Sequence, residues 1–262
     1  MKTKINIIFI FLIFCTPLCY SQKNLGSAKS LKGDTYVLCC FISDENHDWT
    51  SQEKMDVSGR YREALNWIKN QAVQYNDTVY LNFEIGTYGY SADIKLDNIE
   101  YGTGSGKEDA RMVTRVLQKV GYSNSMSFYK WVTENTKCTN AFVLIFVKGQ
   151  GRGYAMVFKT KESNEQIYFM EGAMLYEKRS NNYNTTPSEI AHEILHLFGA
   201  WDLYTTFEQT KDREDKAREM FPNSIMLRAS PNINDLNVDE VTAWLIGWKD
   251  DSKPWYEWFR PH

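Results

Sequence analysis

Residues 185–204, TTPSEIAHEILHLFGAWDLY, contain the pattern that decides the fold and the site. The chain has four histidines, and two of them, His192 and His196, lie four residues apart in this segment. Thr186 precedes a proline and is followed three positions later by Glu189, which predicts a helix that begins with a capping box and a proline in its first turn. The two imidazoles therefore lie one helical turn apart on the same face.

The apolar residues of this segment recur at helical spacing and predict a face that packs on a core. These residues are Ile190, Ala191, Ile194, Leu195 and Phe198. The opposite face carries Glu189, His192, Glu193 and His196, so both imidazoles can reach one point and hold a metal ion there. Zn²⁺ suits the point, because two neutral imidazoles, a carboxylate and an open position for water make a catalytic zinc arrangement.

Two further residues complete the predicted site. Glu193 follows the first ligand directly, and the spacing H-E-x-x-H makes it the expected general base. Gly199 stands where a helix can end in a left-handed residue, and Asp202, three positions later, can return to the metal as third ligand. An alternative third ligand is Glu240, which stands on a later predicted helix.

Strand-like and helix-like segments alternate along the chain, which predicts an α/β architecture with a largely parallel sheet. The predicted strands are residues 35–43, 78–86, 141–149, 153–158 and 166–175. Upstream of the zinc-binding segment, the predicted helices are residues 58–75 and 107–120, with 127–136 as a helical continuation of the second. The charge-rich residues 208–219 predict a further, solvated helix.

Length and composition limit the classes of protein. A chain of 262 residues with 43% hydrophobic content can bury one sizeable core, so residues 22–262 are expected to form a single domain. A net charge of -3 gives no basic excess, which argues against nucleic acid as a partner. A monomer is expected.

The first 21 residues have the pattern of a secretory signal, with Lys2 and Lys4 before an apolar run and small residues near Ser21. The apolar run covers about half of what a membrane-spanning helix needs, so the mature chain is expected to have no membrane span. Export to the periplasm or the exterior follows from this assignment; an uncleaved anchor is the alternative.

Three cysteines, Cys39, Cys40 and Cys138, remain after such a cleavage. Adjacent residues of a strand point to opposite faces, so at most one of Cys39 and Cys40 can face Cys138. A single disulfide and three buried free thiols are both compatible with the sequence.

The pattern H-E-x-x-H-x-x-G-x-x-D at residues 192–202, together with the sequence SIM at residues 224–226, resembles the metzincin zinc endopeptidases. The Asp-Leu-Tyr ending is closer to secreted bacterial members with aspartate as third ligand than to those with three histidines. In this resemblance Met226 belongs to a methionine turn beneath the zinc, and residues 230–248 are similar to the closing segment of the family.

The resemblance implies a mixed, mostly parallel twisted sheet, two backing helices that include the zinc-binding helix, and a C-terminal helix. It also implies an edge strand, near residues 153–158, that binds extended substrate. The expected activity is that of a secreted zinc metallopeptidase, a hydrolase that acts on proteins or peptides. The alternatives are a thermolysin-like peptidase using Glu240 and a non-catalytic binding protein that keeps the zinc helix and uses its aromatic C-terminal segment as a contact surface.

Overall fold

The computed structural model describes residues 25–44, 47–75, 79–90, 94–96, 106–158 and 169–261. The predicted signal segment, residues 1–21, lies outside these ranges, as does His262. Within the described ranges, no helix has the length and apolar character needed to cross a membrane.

A mostly parallel mixed sheet forms the centre of the fold. Its strands are β1 (Gly33–Ser43), β2 (Leu81–Tyr88), β3 (Ile94–Lys95), β4 (Asn140–Gln150), β5 (Tyr154–Met156) and β6 (Gly172–Lys178). The main order is β2-β1-β4-β6-β5, and β3 also pairs with β1. All pairings are parallel except that of β5 with β6, so the predicted edge strand near residues 153–158 is present at the edge and runs antiparallel.

Helices cover both faces of this sheet. They are α1 (Ser51–Tyr75), α2 (Gly106–Lys119), α3 (Ser125–Asn135), α4 (Pro187–Leu197), α5 (Lys211–Met220) and α6 (Glu240–Leu245), with two 3₁₀ helices at Ile233–Asp235 and Pro254–Phe259. Alternate residues of β1 and β4 enter two separate cores, one shared with α1, α4 and α6 and the other with α2 and α3. Because both faces of the sheet are covered, its central strands consist of continuous apolar runs.

The second helical layer goes beyond the two backing helices that were expected. The chain runs from β1 through α1 to β2, and then through α2 and α3 to β4 on the other side of β1. Connections between parallel strands are right-handed. When the chain adds its next strand on the other side of β1, the connecting helices must therefore lie on the opposite face of the sheet. The helices α2 and α3 therefore lie on the face opposite α1.

Two helix boundaries differ from the prediction. Helix α1 begins at Ser51 rather than at residue 58, because Thr50 and Glu53 form a capping box in which Glu53 Oε2 accepts from Thr50 N at 2.9 Å. Residues 127–136 do not continue α2: Gly121 adopts a φ of +100° after that helix, and Asn124 caps a separate helix α3. The C-terminal helix is short, ending at Leu245.

The three cysteines are buried and free. Cys39 points into the core that contains α1 and α4, whereas Cys40 and Cys138 belong to the core on the opposite face. The prediction that the adjacent cysteines face opposite ways is confirmed, and no disulfide joins the three.

Candidate metal centre

Helix α4 begins and ends as its sequence predicts. The Thr186 backbone N–H donates to Glu189 Oε2 at 2.8 Å, and the Glu189 N–H donates to Thr186 Oγ1 at 3.3 Å, which is the predicted capping box. At the other end Gly199 has a φ of +99°, and the Ala200 N–H donates to the Leu195 carbonyl at 3.2 Å. This left-handed turn reverses the chain toward the helix it has just left.

The reversal brings three ligand atoms together. The Nε2 atoms of His192 and His196 are 3.0 Å apart, and Asp202 Oδ1 lies 3.2 Å from each of them. Within the part of the chain that the structure describes, this is the one group of three or more histidine, cysteine or acidic side chains close enough to share a metal ion. The structure therefore brings the three predicted ligands to one point.

Hydrogen bonds fix which nitrogen of each ring faces that point. His192 Nδ1 lies 3.0 Å from the Ile225 carbonyl oxygen, and His196 Nδ1 lies 2.8 Å from that of Ala200. A carbonyl oxygen can only accept, so each Nδ1 carries a proton and each Nε2 faces the meeting point, where it presents a lone pair when the ring is neutral. Metal-binding histidines are oriented by this type of contact.

With both rings neutral, the meeting point lacks positive charge. Asp202 Oδ1 is buried and has no partner with hydrogen-bond geometry among the described residues, although both imidazoles are within 3.2 Å. Three lone pairs at these separations repel one another unless a cation lies between them. Ligand atoms of a tetrahedral zinc site, with bonds of about 2.0–2.1 Å, are separated by roughly 3.3 Å, which the three observed distances approach. The donor set and its spacing thus fit Zn²⁺.

The electrostatics of the group agree with this deficit. Burial alone would lower the pKa of His196, but the adjacent Asp202 carboxylate raises it to about 9. Burial would raise the pKa of Asp202, yet its two imidazole neighbours hold that pKa far below the ordinary value. Both shifts mean that the cluster favours an added positive charge.

A tight turn contacts the cluster through backbone carbonyls. Residues 225–227 form this turn, whose Ile225 carbonyl orients His192, and the Leu203 N–H donates to the Met226 carbonyl at 2.9 Å. Met226 itself is fully buried. The segment predicted as a methionine turn therefore forms a turn, which contacts His192 through the Ile225 carbonyl and the residue after Asp202 through the Met226 carbonyl.

A buried carboxylate in turn holds this segment in place. Asp239 Oδ2 accepts a hydrogen bond from Ser224 Oγ at 2.6 Å, and Ser224 Oγ accepts one from the Met226 N–H at 3.1 Å. Asp239 also caps α6 through its other oxygen. An aspartate before a helix signals a cap in the sequence, but the contact of Asp239 with Ser224 across the fold has no local signal.

Glu193 lies beside the cluster on the wall of a cleft. The cleft has a volume of about 500 Å³ and is lined by His192, Glu193 and Tyr204 near the candidate metal ligands. Within the described part of the chain, the Glu193 carboxylate makes no hydrogen bond or ion pair. A Cβ added at Gly153, just before β5, would lie 3.8 Å from Glu193 Cγ, so the edge strand starts against this side chain.

Tyr204 lines the cleft next to the candidate metal ligand His192. Its ring packs against the His192 ring with centroids 6.1 Å apart, and its hydroxyl accepts a hydrogen bond from Arg152 Nη2 at 3.3 Å. Burial and the Asp202 charge raise its pKa well above the ordinary value, so the hydroxyl stays protonated. In the sequence this tyrosine is marked only by its place in the Asp-Leu-Tyr ending of the motif.

The structure does not bring Glu240, the alternative third ligand, to the cluster. Its Oε2 accepts from Tyr256 Oη at 2.7 Å and from Lys253 Nζ at 2.5 Å at the start of α6. The remaining described histidine, His47, is exposed and contacts Asp44 at 2.8 Å. Asp202 is therefore the acidic partner of the two imidazoles.

Neither the models of known protein families nor the curated protein sequences gave a match to this chain. The geometry of the described residues is therefore the basis of the functional assignment.

Proposed function

We propose that the protein is a secreted zinc-dependent endopeptidase of the metzincin type, with the ion held by His192, His196 and Asp202. One observation carries the proposal: three lone-pair donors converge within 3.2 Å beside the unpartnered Glu193 carboxylate, at the wall of an open cleft. Three protein ligands leave a coordination position for water, as catalytic zinc sites do.

Bound at this point, zinc would make a water molecule more acidic and polarise the carbonyl of a peptide bond. Glu193 then accepts a proton from the attacking water and donates it to the departing amine. Its carboxylate is suited to this role because no other group in the described structure holds it. Tyr204 keeps its hydroxyl proton and lies at the same end of the cleft.

Strand β5 supports the binding of an extended substrate. Among the described strands it pairs only with β6, and the preceding residues, Gly151 to Gly153, line the cleft beside Glu193. An edge strand next to a site can bind a peptide through backbone hydrogen bonds, with alternate side chains entering pockets. A substrate held in this way would pass the candidate metal ligands.

In the alternative of a non-catalytic binding protein, the aromatic C-terminal segment would serve as a contact surface. Trp248 is buried and donates from its indole nitrogen to the Leu31 carbonyl, and Trp255 stacks on Phe221 with ring centroids 6.1 Å apart. These two side chains are used in packing and are not free to form a contact surface, although Trp258 in the same segment is 45% exposed.

The decisive experiment combines metal analysis with a proteolysis assay on the mature chain. The wild type should bind one zinc ion and cleave an unfolded protein substrate in a chelator-sensitive manner. Glu193→Gln should keep its zinc and lose at least about 100-fold in activity, the lower end of what a general base contributes. Glu63→Gln on α1 is the matched control and should behave like the wild type. Near-normal proteolysis by Glu193→Gln, or a wild type without zinc, would refute the proposal.

A further inference from the structure

The cleft beside the candidate metal centre is also lined by three arginines, Arg152, Arg179 and Arg228. Two glutamates, Glu189 and Glu193, also line it. The lining thus carries an excess of positive charge, although the chain as a whole has a net charge of -3. Since a cleft concentrates the field of its lining charges, it favours anionic groups.

The two acidic residues are already committed. Glu189 Oε2 accepts hydrogen bonds from Thr186 N and Thr186 Oγ1 at 2.8 and 2.9 Å in the cap of α4, and its Oε1 lies 3.5 Å from Arg179 Nε. Glu193 lies at the metal end of the cleft, where the reaction is proposed to occur. Neither carboxylate therefore forms an ion pair with Arg228 in the described structure.

The arginines, in contrast, keep unused hydrogen-bond donors. Arg228 is exposed at the cleft and makes no hydrogen bond or ion pair with a side chain in the described ranges. Arg179 Nε is buried without a hydrogen-bond partner among the described residues, since its contact with Glu189, at 3.5 Å, lacks hydrogen-bond geometry. A guanidinium presents several donors in one plane and recognises a carboxylate through paired hydrogen bonds.

Apolar side chains form the rest of the wall. They include Leu175, Ile225 and Leu227. An aliphatic stem that ends in a carboxylate matches this combination, because the stem can pack on the apolar wall while the charged end meets the guanidinium groups. A lysine side chain would bring like charges together, and a purely apolar side chain would leave the donors unpaired.

We infer that the enzyme selects peptides with an acidic residue, glutamate above all, adjacent to the cleaved bond, and that Arg228 is a specificity-determining residue with Arg179 in support. This inference rests on the proposed peptidase function. It adds a substrate class that the metal ligands and the general base do not define.

The test uses the zinc-loaded mature chain and a set of peptides that differ at the residues on either side of the cut. At each of these positions glutamate is compared with glutamine, leucine and lysine, and kcat/KM is measured for each peptide. Glutamate at one position should be preferred over its neutral isostere glutamine by about tenfold or more, the value of one charge-assisted interaction. Arg228→Gln should reduce this preference, and Arg228→Glu should reverse it in favour of lysine.

The control is Lys130→Glu, which makes the same change of charge on α3, a helix of the opposite face of the sheet. It should leave the ratio of the glutamate and glutamine peptides unchanged. Cleavage of all peptides with a ratio near one, or a ratio insensitive to Arg228→Glu, would overturn the inference and leave the peptidase function standing. Absence of cleavage by the zinc-loaded wild type would overturn both.

Discussion

Asp239→Asn should weaken zinc binding without touching a metal ligand. Asp239 is buried, and its carboxylate accepts four hydrogen bonds: from Val241 N at 3.0 Å, Thr242 N at 2.9 Å, and Ser224 Oγ and Thr242 Oγ1 at 2.6 Å each. An asparagine keeps one oxygen for the two backbone donors. Its amide group is itself a donor and faces the two hydroxyls, which then have to turn and accept.

The magnitude follows from the two bonds that are disrupted. Hydrogen bonds to a charged group contribute about 1.5–3 kcal/mol each, and the hydroxyls recover part of this by turning, so the free energy of unfolding should fall by about 2–3 kcal/mol. Ser224 also accepts from the Met226 N–H, and the neighbouring Ile225 carbonyl orients His192. Loss of an outer partner of a metal ligand costs about tenfold or more in metal affinity.

The assay is urea unfolding of the zinc-loaded and the chelated protein, combined with a competition titration for zinc. A tenfold loss of affinity removes about 1.4 kcal/mol of the stabilisation that saturating zinc provides. Asp235→Asn is the matched control, because Asp235 is exposed and accepts only from Asn232 and Ser230 within the described ranges. If Asp239→Asn loses the same stability with and without zinc, the turn does not support the metal ligand and the reasoning is wrong.

Four further predictions concern the site. Asp202→Asn should lower zinc affinity while Glu240→Gln leaves it unchanged, measured by the same titration; the reverse result would restore Glu240 as third ligand. Gly199→Ala should destabilise the protein by about 1 kcal/mol, because its φ of +99° is unfavourable for other residues, and should also weaken zinc binding. In the metal-free protein the pKa of His196 is raised to about 9. The protonated ring therefore stabilises the fold fully below about pH 6.5, the pKa of histidine in the unfolded chain, and this stabilisation is lost as the pH rises through 9. Urea titrations that show no loss of stability across this pH range would contradict the prediction. For the same reason zinc binding near pH 7 should release a proton, which calorimetry in buffers of different ionisation enthalpy detects; a buffer-independent enthalpy would count against histidine ligation.

Local signals in the sequence predicted the central part of the site. Thr186 and Glu189 cap α4 as their spacing indicates, and Gly199 adopts the left-handed conformation that returns Asp202 to the two imidazoles. Each of these features depends on neighbours within one or two turns of chain, where backbone geometry limits the outcome.

The features that were missed depend on contacts between distant segments. Periodicity predicted that α2 is a helix but not the face of the sheet on which it packs, since that follows from the order of strands. Two other features also join separate parts of the chain: Asp239 accepts a hydrogen bond from Ser224, and Arg179 and Arg228 line the same cleft. The start of α1 at Ser51 is different, because it depends on Thr50 and Glu53, a capping pair whose members are only three residues apart.

The hydrogen bond between Leu203 and Met226 has a consequence for how such proteins diversify. This bond holds together the two ends of the loop that contains α5. The distance between the two ends therefore does not depend on the number of residues in the loop. Lengthening a closed loop costs little, roughly 0.6 kcal/mol for each doubling. Related chains can therefore differ widely in the spacing between the third ligand and the methionine, and a search pattern with a fixed gap will pass over them.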